Sequence, residues 1–106
     1  MSSRAWVVFV ASPNRATSDR LAKLLVGRKL AACVNILPSV RSLYWWKGKM
    51  ERAREELLVI KSRKSHWPQL SKAIREHHPY EVCEILALPV AQGDPDYLKW
   101  IGRSLR

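Results

Sequence analysis

The segment from residue 31 to residue 63 constrains the fold of this chain more than any other. Residues 31–47 are rich in β-branched and aromatic residues, and residues 50–63 are charged at their start and apolar at 57–60. The turn sequence Lys47-Gly48-Lys49 separates them, so the segment predicts a long β-hairpin. A strand spanning 31–47 would extend about 55 Å at about 3.3 Å per residue, whereas a domain of 106 residues has a diameter of roughly 33 Å. The hairpin must therefore bend back on its own domain or pair with another subunit.

The rest of the chain alternates between strand and helix patterns. The run at 5–11 is apolar without polar alternation, which predicts a strand buried on both faces. Proline disfavours helical backbone in the residue before it, so Pro79 ends a helix, and Pro38 marks a bulge or an edge within a strand. The predicted elements are a strand at 5–11, a helix at 14–29 capped by Asn14, strands at 31–47 and 50–63, a helix capped by Ser65 that ends at His77, a strand at 82–91 and a C-terminal helix that begins at Pro95.

This order of elements defines the expected fold class, which is α+β. The first six elements follow the ferredoxin-like arrangement, a βαββαβ sandwich with helices on one face of the sheet. The long β2-β3 hairpin and an additional C-terminal helix complete it. The length predicts a single domain, residues 1–106. The apolar sequence Leu43-Tyr44-Trp45-Trp46 would form a large exposed patch in a lone subunit, which favours self-association.

The chain is strongly basic, with a formal net charge of +10. Such a charge attracts polyanions without specificity and identifies no partner. The region 41–64 carries eight lysines and arginines. The RNA-recognition motif shares the predicted topology but needs aromatic residues on its central strands, and the third strand here reads LLVIKSR. The sequence therefore predicts no specific nucleic-acid partner.

The sequence also bears on the cellular compartment. No apolar run approaches the about 20 residues of a membrane-spanning helix, and the first residues lack the features of a signal peptide. A cytoplasmic protein with no membrane partner is expected. Cys33 and Cys83 match no disulfide framework or zinc spacing, so both are expected to be reduced thiols. Cys33 has no histidine or lysine beside it in sequence and is expected to be a small buried side chain rather than a reactive thiol.

Residues 77–84, which read HHPYEVCE, gather the side chains most able to bind a metal or transfer a proton. His77 lies on the apolar face of its helix and suits either a core histidine bonded to backbone or a metal ligand. His78 precedes a proline and is less constrained. Adjacent helical residues point about 100° apart, so the pair holds one ion only if the helix end unwinds. Imidazole ligands suit copper(II), zinc or nickel and need a third ligand, for which the candidates are Glu81, Glu84, Cys83 and a neighbouring subunit.

Catalytic patterns are missing from the sequence. Glu81 and Glu84 fall on a predicted strand at positions that face opposite sides, which argues against a paired acid and base. No Ser-His-Asp arrangement, glycine-rich phosphate loop or His-x-Glu zinc signature occurs. We therefore expect no enzymatic activity and no cofactor that folding requires.

Three blocks of sequence carry a family resemblance. They run in order from about residue 7 to residue 101, and together they resemble the CutA family, the divalent-cation-tolerance proteins. The first block is LAACVNILP at 30–38, followed by SLYWWKGKME at 42–51; the second is LVIKS at 58–62; the third is HPYEVCEILALPV at 78–90, followed by Gly93, Asp94, Tyr97, Leu98 and Trp100.

The resemblance implies a tight homotrimer of ferredoxin-like subunits whose hairpins pair between subunits. It implies tolerance of divalent metal ions, with weak binding of copper or another divalent cation, and no catalysed reaction. The family's trimer is similar to PII-type signal proteins, so the alternative is a signalling or scaffold protein that senses a small anionic ligand or binds an unknown protein partner. The family's copper site, where described, uses two histidines that match His77 and His78 and a cysteine whose position falls at Val10.

Overall fold

The elements of the structure, a computed structural model that describes residues 4–106, follow the predicted order. The α+β class and the βαββαβα order are confirmed. The elements are β1 (Ala5–Ser12), α1 (Arg15–Gly27), β2 (Cys33–Trp46), β3 (Lys49–Arg63), a 3-10 turn (Lys64–His66), α2 (Trp67–His77), β4 (Ile85–Pro89) and α3 (Pro95–Ser104).

The strands form one antiparallel sheet in the ferredoxin-like order β2-β3-β1-β4. Helices α1 and α2 pack on one face, where burial of apolar surface stabilises the fold. The opposite face carries α3, which contacts β1 and β3 and brings Gly102 close to the Arg63 guanidinium. The fully buried core between the sheet and the first two helices contains Val8, Val10, Leu21, Leu25, Leu58, Ile60 and Ile74.

Strand β1 alternates in burial. Val8 and Val10 are fully buried toward α1 and α2, whereas Val7 and Phe9 on the opposite face are only partly buried. The prediction of a strand buried on both faces is therefore confirmed only in part: Ala5 and Ala11 on the second face are buried, whereas Val7 and Phe9 beside them are half-buried.

Two local signals in the hairpin are confirmed. Strand β2 lies at an edge of the sheet, and its pairing with β3 shifts register between Leu37 and Val40, so the segment with Pro38 forms a bulge. Trp46 pairs with Lys49 across a two-residue turn in which both residues have positive φ, 78° at Gly48, as a type I′ hairpin turn requires. The hairpin extends well beyond the helices, and the subunit measures 44 × 26 × 23 Å.

One of the two predicted helix caps is confirmed. Asn14 accepts from the Thr17 amide at 2.8 Å as predicted. Helix α3 begins at Pro95 as predicted, and Asp94 caps it. The predicted cap at Ser65 is wrong: residues 64–66 form the 3-10 turn, α2 begins at Trp67, and the Ser65 hydroxyl instead contacts the His66 ring.

The fourth strand is shorter than predicted. It covers Ile85–Pro89 rather than 82–91, because residues 80–84 form a bend that packs against the hairpin. Within residues 4–106, no helix is both long and apolar enough to cross a membrane.

Candidate functional site

His77 ends α2 with one ring nitrogen unused. Its Nδ1 lies 2.9 Å from the carbonyl oxygen of Ala73, one turn earlier. A carbonyl only accepts, so Nδ1 carries the proton and donates. In the neutral ring Nε2 then keeps a lone pair, on a side chain that is partly exposed. His77 is therefore bonded to backbone, as one of the two alternatives expected, and its Nε2 has no hydrogen-bond partner among residues 4–106; the role of metal ligand stays a prediction.

His78 uses both ring nitrogens inside the subunit. Its backbone is extended because Pro79 follows, and its side chain is 8% exposed. Nε2 donates to the carbonyl oxygen of Ala11 at 2.7 Å, and Nδ1 accepts from the Tyr80 amide at 3.1 Å. In this conformation the neutral ring links the end of β1 to the bend. Both ring nitrogens are hydrogen-bonded, so neither is free to bind a metal.

The bend is also held by Tyr80 and Glu55. The Tyr80 hydroxyl donates to Glu55 Oε2 at 2.7 Å, and Glu55 is 6% exposed. Burial raises the pKa of Tyr80 above its ordinary value, and the hydrogen bond to Glu55 and the Glu55 charge raise it further. The sequence signal for this pair is weak: alternation along β3 places Glu55 on the same face as Leu57 and Val59, a carboxylate at an otherwise apolar position.

The remaining candidate ligands follow in the bend. Glu81 and Glu84 are exposed, and Cys83 is half-buried with its Sγ 3.9 Å from the Tyr80 carbonyl oxygen. The expectation that the two carboxylates face opposite sides of a strand is wrong, because β4 begins only at Ile85. Among the described residues, 4–106, no three His, Cys, Asp or Glu side chains form a metal-binding cluster. Metal ligation by His77 and His78, with Glu81, Glu84 or Cys83, stays a prediction.

A pocket of about 550 Å³ lies between this bend and the hairpin. Its lining combines the hydrogen-bonded pair Glu55 and Tyr80 with hairpin aromatic residues and the acidic bend. Its size is that of a small-molecule site. The lining residues are Ala11, Tyr44, Trp45, Trp46, Glu55 and residues 80–84.

Comparison with known proteins identifies the family to which the chain belongs. The family described as CutA1 divalent ion tolerance protein matches residues 6–104, nearly the whole chain. The chain belongs to the CutA1 family. The resemblance drawn from the three sequence blocks is confirmed.

Several CutA relatives match over most of this chain. The Xenopus laevis protein CutA homolog is 51% identical over 94 residues, which is 89% of this chain but 62% of that protein's length. The divalent-cation tolerance protein CutA of Yersinia pestis (strain Pestoides F) is 47% identical over 103 residues, 97% of this chain and 87% of the relative.

CutA crystal structures share the fold as well as the sequence. CutA1 from Oryza sativa superposes with a TM-score of 0.95 at 43% identity, covering 99% of this chain and 96% of that one. The periplasmic divalent cation tolerance protein CutA from Archaeoglobus fulgidus superposes with a TM-score of 0.93 at 32% identity, covering 96% and 99%.

In this CutA1 family member, Val10 occupies the position that the resemblance assigns to a copper-binding cysteine. Its side chain is fully buried in β1, next to the residue whose carbonyl binds His78. An aliphatic side chain supplies no ligand, and copper(I) favours soft thiolate. A copper site in this CutA1 chain would therefore depend on imidazole and on groups in the bend.

Cys33 differs from its sequence-based expectation. It is partly exposed, and the β2-β3 register sets it opposite Lys61, whose Nζ lies 3.9 Å from the Cys33 Sγ. The prediction of a small buried thiol without a lysine neighbour is wrong, because the lysine is 28 residues away in sequence. Burial, and a smaller effect of the charge of Cys33, raise the pKa of Tyr97, whose ring stacks on Trp100 at 5.5 Å.

Proposed function

We propose that this protein acts in the tolerance of divalent metal ions by binding a divalent cation weakly, with copper among the candidates. Membership of the CutA1 divalent ion tolerance family carries this proposal. The names of its relatives as divalent-cation tolerance proteins support it.

The binding atom we favour is Nε2 of His77. The hydrogen bond from Nδ1 to Ala73 fixes the tautomer and the ring orientation, as the outer hydrogen bonds of metal-binding histidines do. The C-terminus of α2 carries a partial negative charge that attracts a cation. His78 would contribute only after giving up its bond to Ala11. The bend offers further ligands within seven residues: Glu81, Cys83 and Glu84.

The test is a calorimetric titration of the purified protein with copper(II), zinc and copper(I). We expect His77→Ala to abolish binding of copper(II) and zinc. His66→Ala is the matched control, because the His66 ring is engaged with the C-terminal carbonyl oxygen of Arg106 at 2.7 Å and with Ser65. Equal uptake by His77→Ala and the native protein would rule out this site.

We also propose that the protein works as a homotrimer. Three leucines are exposed on the sheet face opposite α1 and α2, with Leu86 at 59%, Leu88 at 47% and Leu37 at 44%. Trp45, near the hairpin tip, is 70% exposed. Apolar patches of this kind on a soluble protein mark association surfaces, and the hairpin is too long to fold against its own subunit.

Light scattering after gel filtration tests the assembly, with three times the 12.2 kDa subunit mass expected. Leu86→Asp with Leu88→Asp should shift the mass toward the monomer. Val26→Asp, an exposed apolar residue on α1, should leave the trimer intact. A monomeric native protein whose thermal midpoint does not rise with concentration would contradict the assembly.

The proposal includes a cytoplasmic location and no catalysed reaction. Two free cysteines, Cys33 and Cys83, fit a reducing compartment. The raised pKa of Tyr80 in the pocket and the two hydrogen bonds of the nearby His78 ring make both side chains poor candidates for proton transfer at neutral pH. Fractionation against compartment markers checks the location, and recovery in the periplasm would refute it.

A further inference from the structure

Three arginines share one face of the hairpin. The β2-β3 register pairs Arg41 with Arg54 and Leu43 with Arg52. Directly paired residues of an antiparallel ladder point to the same side, and so do residues two apart on one strand. The guanidinium groups of Arg41, Arg52 and Arg54 therefore project from a single patch.

Among residues 4–106, no carboxylate forms an ion pair with the arginines of this patch. Like charges directly opposite each other on neighbouring strands are destabilising, and arginine stays charged at any physiological pH. Within residues 4–106 the ion pairs are Arg15–Asp19 and Lys72–Glu76. Glu56 follows Arg54 on the same face without forming an ion pair with it, and one of its carboxylate oxygens is buried.

The arginines surround a concave surface. A groove of about 470 Å³ is lined by Arg41, Leu43, Arg52 and Arg54, together with the adjoining Ser42 and Ala53. Ligand pockets in proteins span about 300–1,000 Å³. We call this the arginine groove.

The arginine groove lies on the sheet face opposite the leucines proposed above to join subunits. The bulge lies in β2, and every residue of β3 from Lys49 to Arg63 is paired with a neighbouring strand. Side chains therefore alternate along β3 without interruption, and Arg52 and Arg54 lie on the same face as Leu58 and Ile60. Those two residues face α1 and α2. The exposed leucines proposed to join subunits lie on the opposite side, so association there leaves the groove accessible.

We infer that the arginine groove binds a small molecule bearing a polyphosphate chain. Guanidinium groups pair bidentately with phosphate oxygens. Three neighbouring positive charges need several negative charges close together, which a polyphosphate supplies and a single carboxylate does not. Leu43, which shares the face of the three arginines, gives the groove an apolar side chain for the non-phosphate part of a ligand. This inference goes beyond the metal-tolerance proposal and does not depend on it.

The experiment uses calorimetry on the full chain in metal-free buffer of fixed ionic strength. The probes are inorganic tripolyphosphate and adenosine triphosphate, with sulfate as a low-charge reference. We expect both polyphosphates to bind well above sulfate. Equal affinity for the two assigns the groove to the phosphate chain alone, and tighter binding of the nucleotide assigns it to nucleotides; both outcomes support the inference.

Matched variants distinguish specific binding in the arginine groove from nonspecific attraction of anions to a basic protein. Arg52→Gln with Arg54→Gln should weaken tripolyphosphate binding by about tenfold or more for each arginine removed, since each charge-assisted bond is lost. Arg28→Gln with Arg75→Gln removes the same charge from two exposed positions, the C-cap of α1 and the last turn of α2. Neither side chain forms an ion pair among residues 4–106, so this pair should leave affinity nearly unchanged. Arg52→Lys with Arg54→Lys keeps the charge but loses the bidentate geometry, so an intermediate loss is expected.

Two further readouts keep the test decisive. Without ligand, Arg54→Gln should be at least as stable to heat as the native protein, because it removes the repulsion across the ladder from Arg41, so lost binding would not reflect unfolding. His77→Ala should bind tripolyphosphate normally, which separates this site from the metal site. Equal losses in the two glutamine pairs, or full retention by the lysine pair, would overturn the inference and leave only diffuse electrostatic attraction.

Discussion

Replacing Tyr80 by phenylalanine tests the contact that holds the bend against the hairpin. The change removes one hydroxyl, which donates to Glu55 Oε2 at 2.7 Å, and leaves the ring contact with His78 at 4.8 Å in place. Glu55 is 6% exposed, so water cannot readily replace the lost donor. Leaving a buried acceptor unpaired costs about 1–3 kcal/mol, and more for a charged group. We expect a loss of about 2 kcal/mol in the free energy of unfolding.

Urea denaturation at fixed protein concentration measures this loss. Tyr44→Phe is the control, because Tyr44 lines the same pocket and its hydroxyl forms no hydrogen bond with residues 4–106. A double-mutant cycle with Glu55→Gln should show coupling between the two side chains. A Tyr80→Phe protein as stable as the Tyr44→Phe protein, or strictly additive effects in the cycle, would refute the proposed role of the pair.

The same variant carries a prediction about pH. Burial and the bond to Glu55 raise the pKa of Tyr80 in the folded protein above its ordinary value of 10.0, so the folded state keeps a proton that the unfolded state loses above about pH 10. Stability should therefore fall as pH rises through that range, and the fall should be smaller in Tyr80→Phe. Unfolding measured between pH 8 and pH 11 in both proteins checks this, and parallel curves would contradict it.

Three smaller predictions follow from local geometry. Asn14→Ala should destabilise the protein by about 1 kcal/mol in thermal unfolding by removing the α1 cap, whereas Asn14→Ser should restore most of the loss. Gly48→Ala should cost about 1–2 kcal/mol because of its positive φ, although space is open around it; no change in the urea midpoint would contradict the turn geometry. Val10→Cys should keep the fold and strengthen copper(I) binding in competition titrations, because it supplies a soft thiolate; unchanged affinity would separate position 10 from any copper site.

The features that sequence analysis predicted are those encoded by neighbouring residues. The cap at Asn14, the turn at Lys47-Gly48 and the bulge near Pro38 each depend on the backbone preferences of one or two residues, so the local sequence suffices. The order of elements follows from hydrophobic spacing in the same way, and that order alone predicted the ferredoxin-like arrangement, with which the family blocks agree.

The features that it missed depend on contacts between distant segments. The proton on Nε2 of His78 is fixed by a carbonyl 67 residues away in sequence, and the Glu55–Tyr80 bond spans 25 residues. Cys33 gains its lysine neighbour only through strand register. Residues 82–84 have strand-like composition and predict an earlier start of β4. Tertiary contacts in the bend override that preference, and β4 begins only at Ile85.

The two prolines at the sheet edges also limit how the chain can aggregate. Edge strands β2 and β4 carry Pro38 and Pro89, and proline has no N–H to offer a partner strand. Pro38 therefore interrupts the row of donors within β2, and Pro89 ends the short row of β4, so a further strand could add only along part of either edge. The long apolar hairpin can thus promote a closed assembly of few subunits while open-ended fibril growth is disfavoured.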